Sequence, residues 1–348
     1  MWLVSRMVIV VGLSLGVLFQ PVDPNAAIDF TMLSRWDSGW YHKIATFGYE
    51  YAPDGQAHSI AFFPLFPLLV ATAMKAGLDF FEAGALVNNL AFLGALMLLY
   101  RWMKERYSLS IARWSVAALA WCPFSLYGSV IYTEGLFLLL TTAALRAFDQ
   151  RKHVQAAVFG ALATATRITG LALIPSMLIV AWREKRSSKA YLAACCVGLG
   201  IAAFAAYCLW RFGNPVAFLD AQKGWRSSLG LDWLSWLKVL TFGVLGPIDS
   251  GNGFIKVIML AGGGALLWVS RAVLPPVALA YAVFSLALIL FTGTAASIER
   301  YIYGIVSITI AFGLYFSAKP RRGLLLLAYF GLLLAVIAFQ YVRYVWIA

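Results

Sequence analysis

The sequence predicts an all-α, polytopic integral membrane protein, and three observations carry that prediction. The 348 residues are 62% apolar and 12% charged, with a mean hydropathy of +0.81, far outside the soluble range. Several windows of about twenty residues carry almost no charge, the length that crosses roughly 30 Å of hydrocarbon as helix. A bilayer interior satisfies no backbone N–H or C=O, so these windows must be helical. Finally, the cations fall into clusters between the windows, at Arg101 to Arg113, Arg146 to Lys152, Arg183 to Lys189, Arg271, and Lys319 to Arg322. The positive-inside rule puts these in the cytosol. The formal charge of +12 is therefore read as topogenic, and nucleic acid is not an expected partner. Residues 23 to 60 instead hold Asp23, Asp29, Asp37, Glu50 and Asp54 against Arg35 and Lys43, which marks an external loop.

Taken in order, "MWLVSRMVIVVGLSLGVLFQPVDP" has one cation, a short apolar core and no convincing cleavage site, so it reads as an uncleaved first helix with a cytoplasmic start. The first external loop, 23–61, carries interfacial helices. Of the two apolar segments that follow, 62–78 and 84–101, only an odd number of crossings fits the charge map. Pro64 and Pro67 break the first and place it at the interface. Spans follow near 114–130 and 134–148. The stretch "AAVFGALATATRITGLALIPSMLIVAW" joins two cytosolic clusters, so it reads as two half-helices meeting near "TRITG", with Arg167 at the break. Further spans are expected near 190–210, 254–270, 275–294, 301–317 and 323–341, for a total of about ten or eleven in a single membrane domain, 1–348. A second large external loop, 211–253, contains Arg211, Lys223, Arg226 and Lys238. Cations on that side suit an anionic ligand, although orientation set by stronger signals elsewhere explains them equally. Cys122, Cys195, Cys196 and Cys208 lie in apolar runs without metal-ligand spacing and read as buried thiols.

Chemistry concentrates in a few polar residues. The stretch "RWDSGWYHKIATFGYEY", Arg35 to Tyr51, contains acids, an imidazole, two cations and six aromatic rings, with Trp36, Trp40, Ile44 and Phe47 at helical spacing. Asp37 has two readings. It is the N3 residue of a capping box with Ser34 as N-cap, or it is a general base at the water interface. With a free pKa of about 3.9 it would accept a proton late, as a hydroxyl attacks a cation-like sugar carbon, a contribution of typically 10² to 10⁴ in rate. Glu134, in "CPFSLYGSVIYTEGLF", either lines a wet cavity or pairs with a cation, or it complements a helix N-terminus. Arg167 and Arg300 are each an ordinary interfacial anchor taken singly. With Lys223, Arg226 and Tyr301 they form the candidate site for a departing lipid phosphate. Arg35, Trp36, Tyr41, His42, His58 and Tyr132 are the candidate lining of the substrate cavity. His42 and His58 lack a third ligand, so no structural zinc site is expected. No cofactor is implied; a divalent ion, Mg²⁺ or Mn²⁺, held weakly by one or two acids stays open.

Arg35, Trp36, Asp37, Ile44, Ala45, Gly48, Tyr49, Ala61, Phe62, Phe63, Pro64, Phe66 and Pro67 together make an RWD, IA..GY, AFFP.FP pattern. This resembles the first lumenal loop of the PIG-V family, the second mannosyltransferase of GPI-anchor assembly. "CPFSLYGSVIYTEGLFLLLT" resembles the family's YSE-LF segment with Thr133 in place of Ser, and "ATATRITGL" its R-x-x-G segment. The likeness covers about the first half of the chain; "ERY" is a fainter echo beyond it. It implies the GT-C superfamily of transferases and a mannosyltransferase that uses polyprenyl (dolichyl) phosphate mannose in an inverting transfer to a lipid- or glycan-linked acceptor. Asp37 then corresponds to the base and Glu134 to the second acid. The chain, shorter than eukaryotic members, fits a prokaryotic plasma membrane with the site facing outside, or the endoplasmic reticulum if eukaryotic. The rival reading is a transporter or flippase of a lipid-linked sugar or amphiphile. It calls for mid-helix charges in corresponding halves and an inverted repeat, and the sequence shows neither.

Overall fold

The computed structural model describes residues 1–19, 27–225, 252–291 and 297–345, with the isolated residues 234, 237 and 241. From the N-terminus come α1 (Trp2–Leu18), the short α2 (Asp37–Phe47) and α3 (Leu65–Lys75), the long α4 (Phe80–Arg106), α5 (Leu109–Trp121), α6 (Glu134–Asp149), α7 (His153–Thr166) and α8 (Leu173–Arg183). The second half comprises α9 (Ser188–Cys196), α10 (Leu199–Phe212), the one-turn α11 (Ala217–Asp220), α12 (Asn252–Ser270), α13 (Pro276–Leu290), α14 (Ile298–Tyr303), α15 (Val306–Phe316) and α16 (Pro320–Val342). No strand occurs among the described residues. Phe80–Arg106, the run Ser188–Phe212 and Pro320–Val342 are long and apolar enough to cross a bilayer, and shorter apolar helices fill the bundle between them. Large apolar side chains stand exposed around the outside, including Trp210 at 80% and Leu325 at 75%, a surface suited to lipid.

Several expected elements form for the expected reasons. Asp79 and Glu82 make a reciprocal capping box that starts α4, and Lys104 and Arg106 close its last turn. α3 has 11 residues, about 17 Å of helix, too short to cross, as its prolines imply. α7 and α8 are the two half-helices, and Arg167 sits between them in extended backbone (φ −154°, ψ 143°).

Other segments differ from expectation. The span near 114–130 ends at Trp121, because Pro123 cannot continue the α-helical ladder and begins a 3₁₀ coil over Pro123–Gly128. The expected 301–317 span is divided into α14 and α15 by Gly304 and Ile305. The 190–210 span is bent between α9 and α10 at Val197 and Gly198.

The coil at 123–128 is wholly buried, and irregular backbone at such depth persists only where protein satisfies it. Arg6 from α1 does so on one side, donating to Ser125 O and Ser129 Oγ at 2.8 and 2.9 Å and to Ala120 O at 3.1 Å. Asn88, in the middle of α4, does so on the other, donating to Tyr127 O and Val130 O at 2.8 and 2.7 Å. Its Oδ1 accepts from Gly135 N–H at 2.9 Å, so a single amide fixes the approach to Glu134. Gly135 is required there, since a Cβ would strike Asn88.

Candidate active site

Four charged residues from four separate elements converge at one end of the bundle. Asp37 is the first residue of α2, not the third: Trp36 is the N-cap and Ser34 makes no capping bond to Asp37. The capping-box reading of Asp37 is therefore not met, and the cause lies in the backbone of Trp36 and a contact distant in sequence. Trp36 takes a left-handed backbone (φ 47°), uncommon for a bulky residue, and its indole packs edge-on against Tyr341 at 5.1 Å. The turn is clamped from below, because Ser38 Oγ donates to Ile131 O at 2.9 Å and Ile131 N–H to Leu33 O at 3.0 Å. Asp37 N–H donates to the Tyr132 hydroxyl at 3.3 Å. What is left for the Asp37 carboxylate is the Arg300 guanidinium, Nη1 to Oδ2 at 2.7 Å.

Arg300 is the bridge. Its Nε also lies 3.3 Å from Oε1 of Glu134, the first residue of α6, whose side chain is 1% exposed. Glu134 Oε1 further accepts from Arg167, while its Oε2 has no hydrogen-bond partner. Both guanidiniums lie over aromatic faces, Arg167 5.1 Å from the Tyr301 centroid and Arg300 5.1 Å from that of Tyr132. Two acids and two arginines thus alternate Asp37, Arg300, Glu134, Arg167. A buried carboxylate needs such partners.

These charges border a cavity of about 560 Å³ whose lining includes Asp37, Arg167, Arg300 and Tyr301. Asp37 remains 21% exposed. Trp40 and Phe62 stack with centroids 5.8 Å apart, and Trp225 meets both edge-on. The 217–225 stretch therefore packs onto the 57–63 stretch, helped by Gly224, where a Cβ would collide with Ala57. Tyr41 also faces the cavity; burial first, then the charges of Asp37 and Glu134, push its phenol well above the ordinary tyrosine range, so it stays protonated and able to donate.

The remaining candidates lie elsewhere. Arg35 turns toward the end of α16, stacking over Tyr344 at 4.6 Å and donating to Val342 O. His42 stacks on Phe80 at 4.3 Å. His58 pairs with Asp54 at 2.7 Å, and that bond, after the Gln56 backbone N–H, holds the Asp54 carboxyl below its usual range. Tyr132 is buried beneath Asp37 and does not line the cavity. Lys223 is exposed and pairs with Asp220 at 3.0 Å. Arg226 lies outside the described residues. Among the described residues no group of three His, Cys, Asp or Glu could hold a metal, and both acids of the site already carry arginines.

Two positions went unread in the sequence. Asn88 was legible in principle, as an amide inside the apolar run of α4. Lys256 of α12 lies 3.9 Å from the buried Glu299, the neighbour of Arg300, and no motif signals it.

The description "Mannosyltransferase (PIG-V)" belongs to the family that matches residues 18–188. GPI alpha-1,6-mannosyltransferase 2 of Cricetulus griseus is 27% identical over 261 residues, 64% of this chain and 52% of that protein. The Homo sapiens protein of the same name is 26% identical over 263 residues, with the same coverage. The chain thus spans about half the length of the curated relatives it matches. In fold it is similar to ArnT from Cupriavidus metallidurans bound to undecaprenyl phosphate (TM-score 0.63, 14% identity, 94% of this chain and 62% of that one). It is also similar to the Archaeoglobus fulgidus oligosaccharyltransferase (TM-score 0.52, 14% identity, 99% and 56%). The matched stretch holds Asp37, Glu134 and Arg167, and the likeness in fold extends over nearly the whole chain: the protein is similar to the PIG-V mannosyltransferase family over residues 18–188 and shares the fold of these solved membrane proteins.

Proposed function

We propose that this chain transfers mannose from polyprenyl phosphate mannose to a hydroxyl of a lipid- or glycan-linked acceptor, with inversion at the sugar carbon. The observation that carries the reading is the single guanidinium of Arg300 shared by Asp37 and Glu134 at the cavity wall. As the acceptor oxygen bonds to C1 of the sugar, the bond from C1 to the phosphate oxygen breaks and its electron pair leaves with the lipid phosphate. The acceptor proton passes to Asp37. Charge grows on the departing oxygen, where Arg300 and Arg167 neutralise it; fixed cations aimed at developing charge are typically the largest contribution to such a barrier.

The same arrangement gives the donor a second role. Without a phosphate, Arg300 occupies Oδ2 of Asp37 in an ion pair. The monoanionic phosphodiester of the donor draws Arg300 toward itself and frees the carboxylate, and the second negative charge that appears on the phosphate as the C1–O bond breaks strengthens that hold. The base is thereby released in the presence of the donor. Leu288 and Phe291 on the apolar side of the cavity suit the prenyl chain, and the Trp40, Phe62 and Trp225 rings suit the sugar face. We place the site on the extracytoplasmic side of a prokaryotic plasma membrane, supported by the basic clusters at the opposite helix ends. A divalent ion is left out, since it would have to displace arginine from both acids.

The test is to incubate purified protein with polyprenyl phosphate mannose, with and without acceptor, in EDTA. Release of polyprenyl phosphate that depends on acceptor is expected. Movement of intact donor across a vesicle without release would instead favour the flippase.

A further inference from the structure

A second concavity lies at the end of the bundle away from Asp37. α6 begins at Glu134 and carries Arg146 in its last turn, on the order of 18 Å further along the axis. There α1, α4, α5 and α6 enclose a cleft of about 970 Å³. Its floor is apolar, formed by Leu93, Leu96, Met97 and Val116, and its rim holds Arg101, Lys104, Arg113 and Arg146 with one acid, Glu105. Glu105 is committed to Arg146 at 2.8 Å. Among the described residues, no carboxylate pairs with Arg101, Lys104 or Arg113. Two buried donors of residues in the cleft, Trp2 Nε1–H and Arg146 Nε–H, have no acceptor.

Topogenic charge accounts for cations at helix ends, but it requires neither a concavity, nor an apolar floor, nor idle buried donors. A ligand with an anionic head and an apolar body accounts for all three. We propose that this cleft binds an anionic phospholipid, its phosphate between Arg101, Lys104 and Arg113 and an acyl chain along the floor. Met97, 51% exposed, joins that floor to the lipid-facing surface, which favours a membrane lipid over a free phosphate ion. The cleft is independent of the transferase reading and shares no residue with the cavity at Asp37.

The experiment is thermal unfolding of the full chain in neutral detergent, with phosphatidylglycerol, with phosphatidylcholine at the same mole fraction, and with inorganic phosphate alone. Phosphatidylglycerol should raise the melting temperature by about 3 °C over phosphatidylcholine, and inorganic phosphate should not. The variant Arg101→Gln with Arg113→Gln should melt as wild type in phosphatidylcholine and lose at least half of that increment. Equal shifts from the two lipids, a full shift from phosphate alone, or an undiminished increment in the variant would each overturn the proposal. If that variant does not fold, Lys104→Gln takes its place. Native mass spectra of the wild type supply a second readout: preferential retention of phosphatidylglycerol supports the cleft, and equal retention of both lipids counts against it.

Discussion

The two halves of the chain build the same site by different means. The first half supplies Asp37, Glu134 and Arg167 through backbone that is not regular helix: the left-handed Trp36, the 123–128 coil, and the extended break at Arg167. The first two of these are held by particular side chains, Ser38 at the turn and Arg6 and Asn88 at the coil. The described part of the second half contributes mostly apolar helices, two of its expected spans bent or divided, and one guanidinium, Arg300, which joins the two acids. Irregular buried backbone restricts which residues can occupy it, so a family resemblance is readable there. Straight lipid-facing helices accept many apolar sequences and leave little to read, yet the charge balance fails without the arginine they position.

The largest effect that could break this comparison is on Arg300. Arg300→Gln should lower the turnover of acceptor-dependent transfer by about 10³-fold, as expected when a cation is removed from developing charge, although it lies outside the recognisable half. Turnover within threefold of wild type, measured as polyprenyl phosphate release, would show that the second half is scaffold alone.

Next in size is Asn88→Leu. It removes three hydrogen bonds to the Tyr127–Gly135 backbone and leaves buried groups unsatisfied, at a cost of about 3 kcal/mol, and it should lower the melting temperature in detergent. An unchanged melting curve would mean that the coil is held without this amide.

One stretch of the second half behaves like the first. Asp220 accepts from Asn214 at 2.7 Å and from Lys223 at 3.0 Å, and these bonds, Asn214 first, hold its folded pKa below the ordinary carboxylate value. Because the folded pKa is the lower one, the stabilisation is present above the unfolded aspartate pKa near 4 and is lost as pH falls through the depressed value. Melting temperatures at pH 7 and pH 3 should therefore converge more in Asp220→Asn than in wild type; an identical acid loss in both would remove Asp220 from the account. The smallest effect is expected for Leu325→Ile on the lipid-facing side of α16, within about 0.5 kcal/mol. A larger loss would mean that this surface is packed against something.

Much of this was legible in the residues, and what was not has physical reasons. Charge clusters and prolines point to a short α3, to the break at Arg167 and to the polar residues of the site, because bilayer energetics act residue by residue. The ends of α5 and α14 were missed, since an apolar run does not reveal where a proline or glycine will be tolerated inside a bundle. Of the two readings of Asp37, the capping box with Ser34 does not form, because the Trp36 contact with Tyr341 spans some three hundred residues of chain and overrides a local preference. Arg35, His42 and His58 are neighbours of the cavity residues in sequence, yet helical spacing on α2 carries His42 to Phe80, and Arg35 and His58, in non-helical backbone, turn to other partners. The pairing of Arg300 with Asp37 could not be read, as nothing local to either residue announces the other.

The most direct measurement is the rate of polyprenyl phosphate release by Asp37→Ala, with donor binding followed in parallel on the same protein. A fall of at least about 10² in turnover with donor still bound is the predicted result, because Arg167 and Arg300 remain to hold the phosphate. Release at nearly the wild-type rate would contradict the assignment of Asp37 as the group that takes the acceptor's proton.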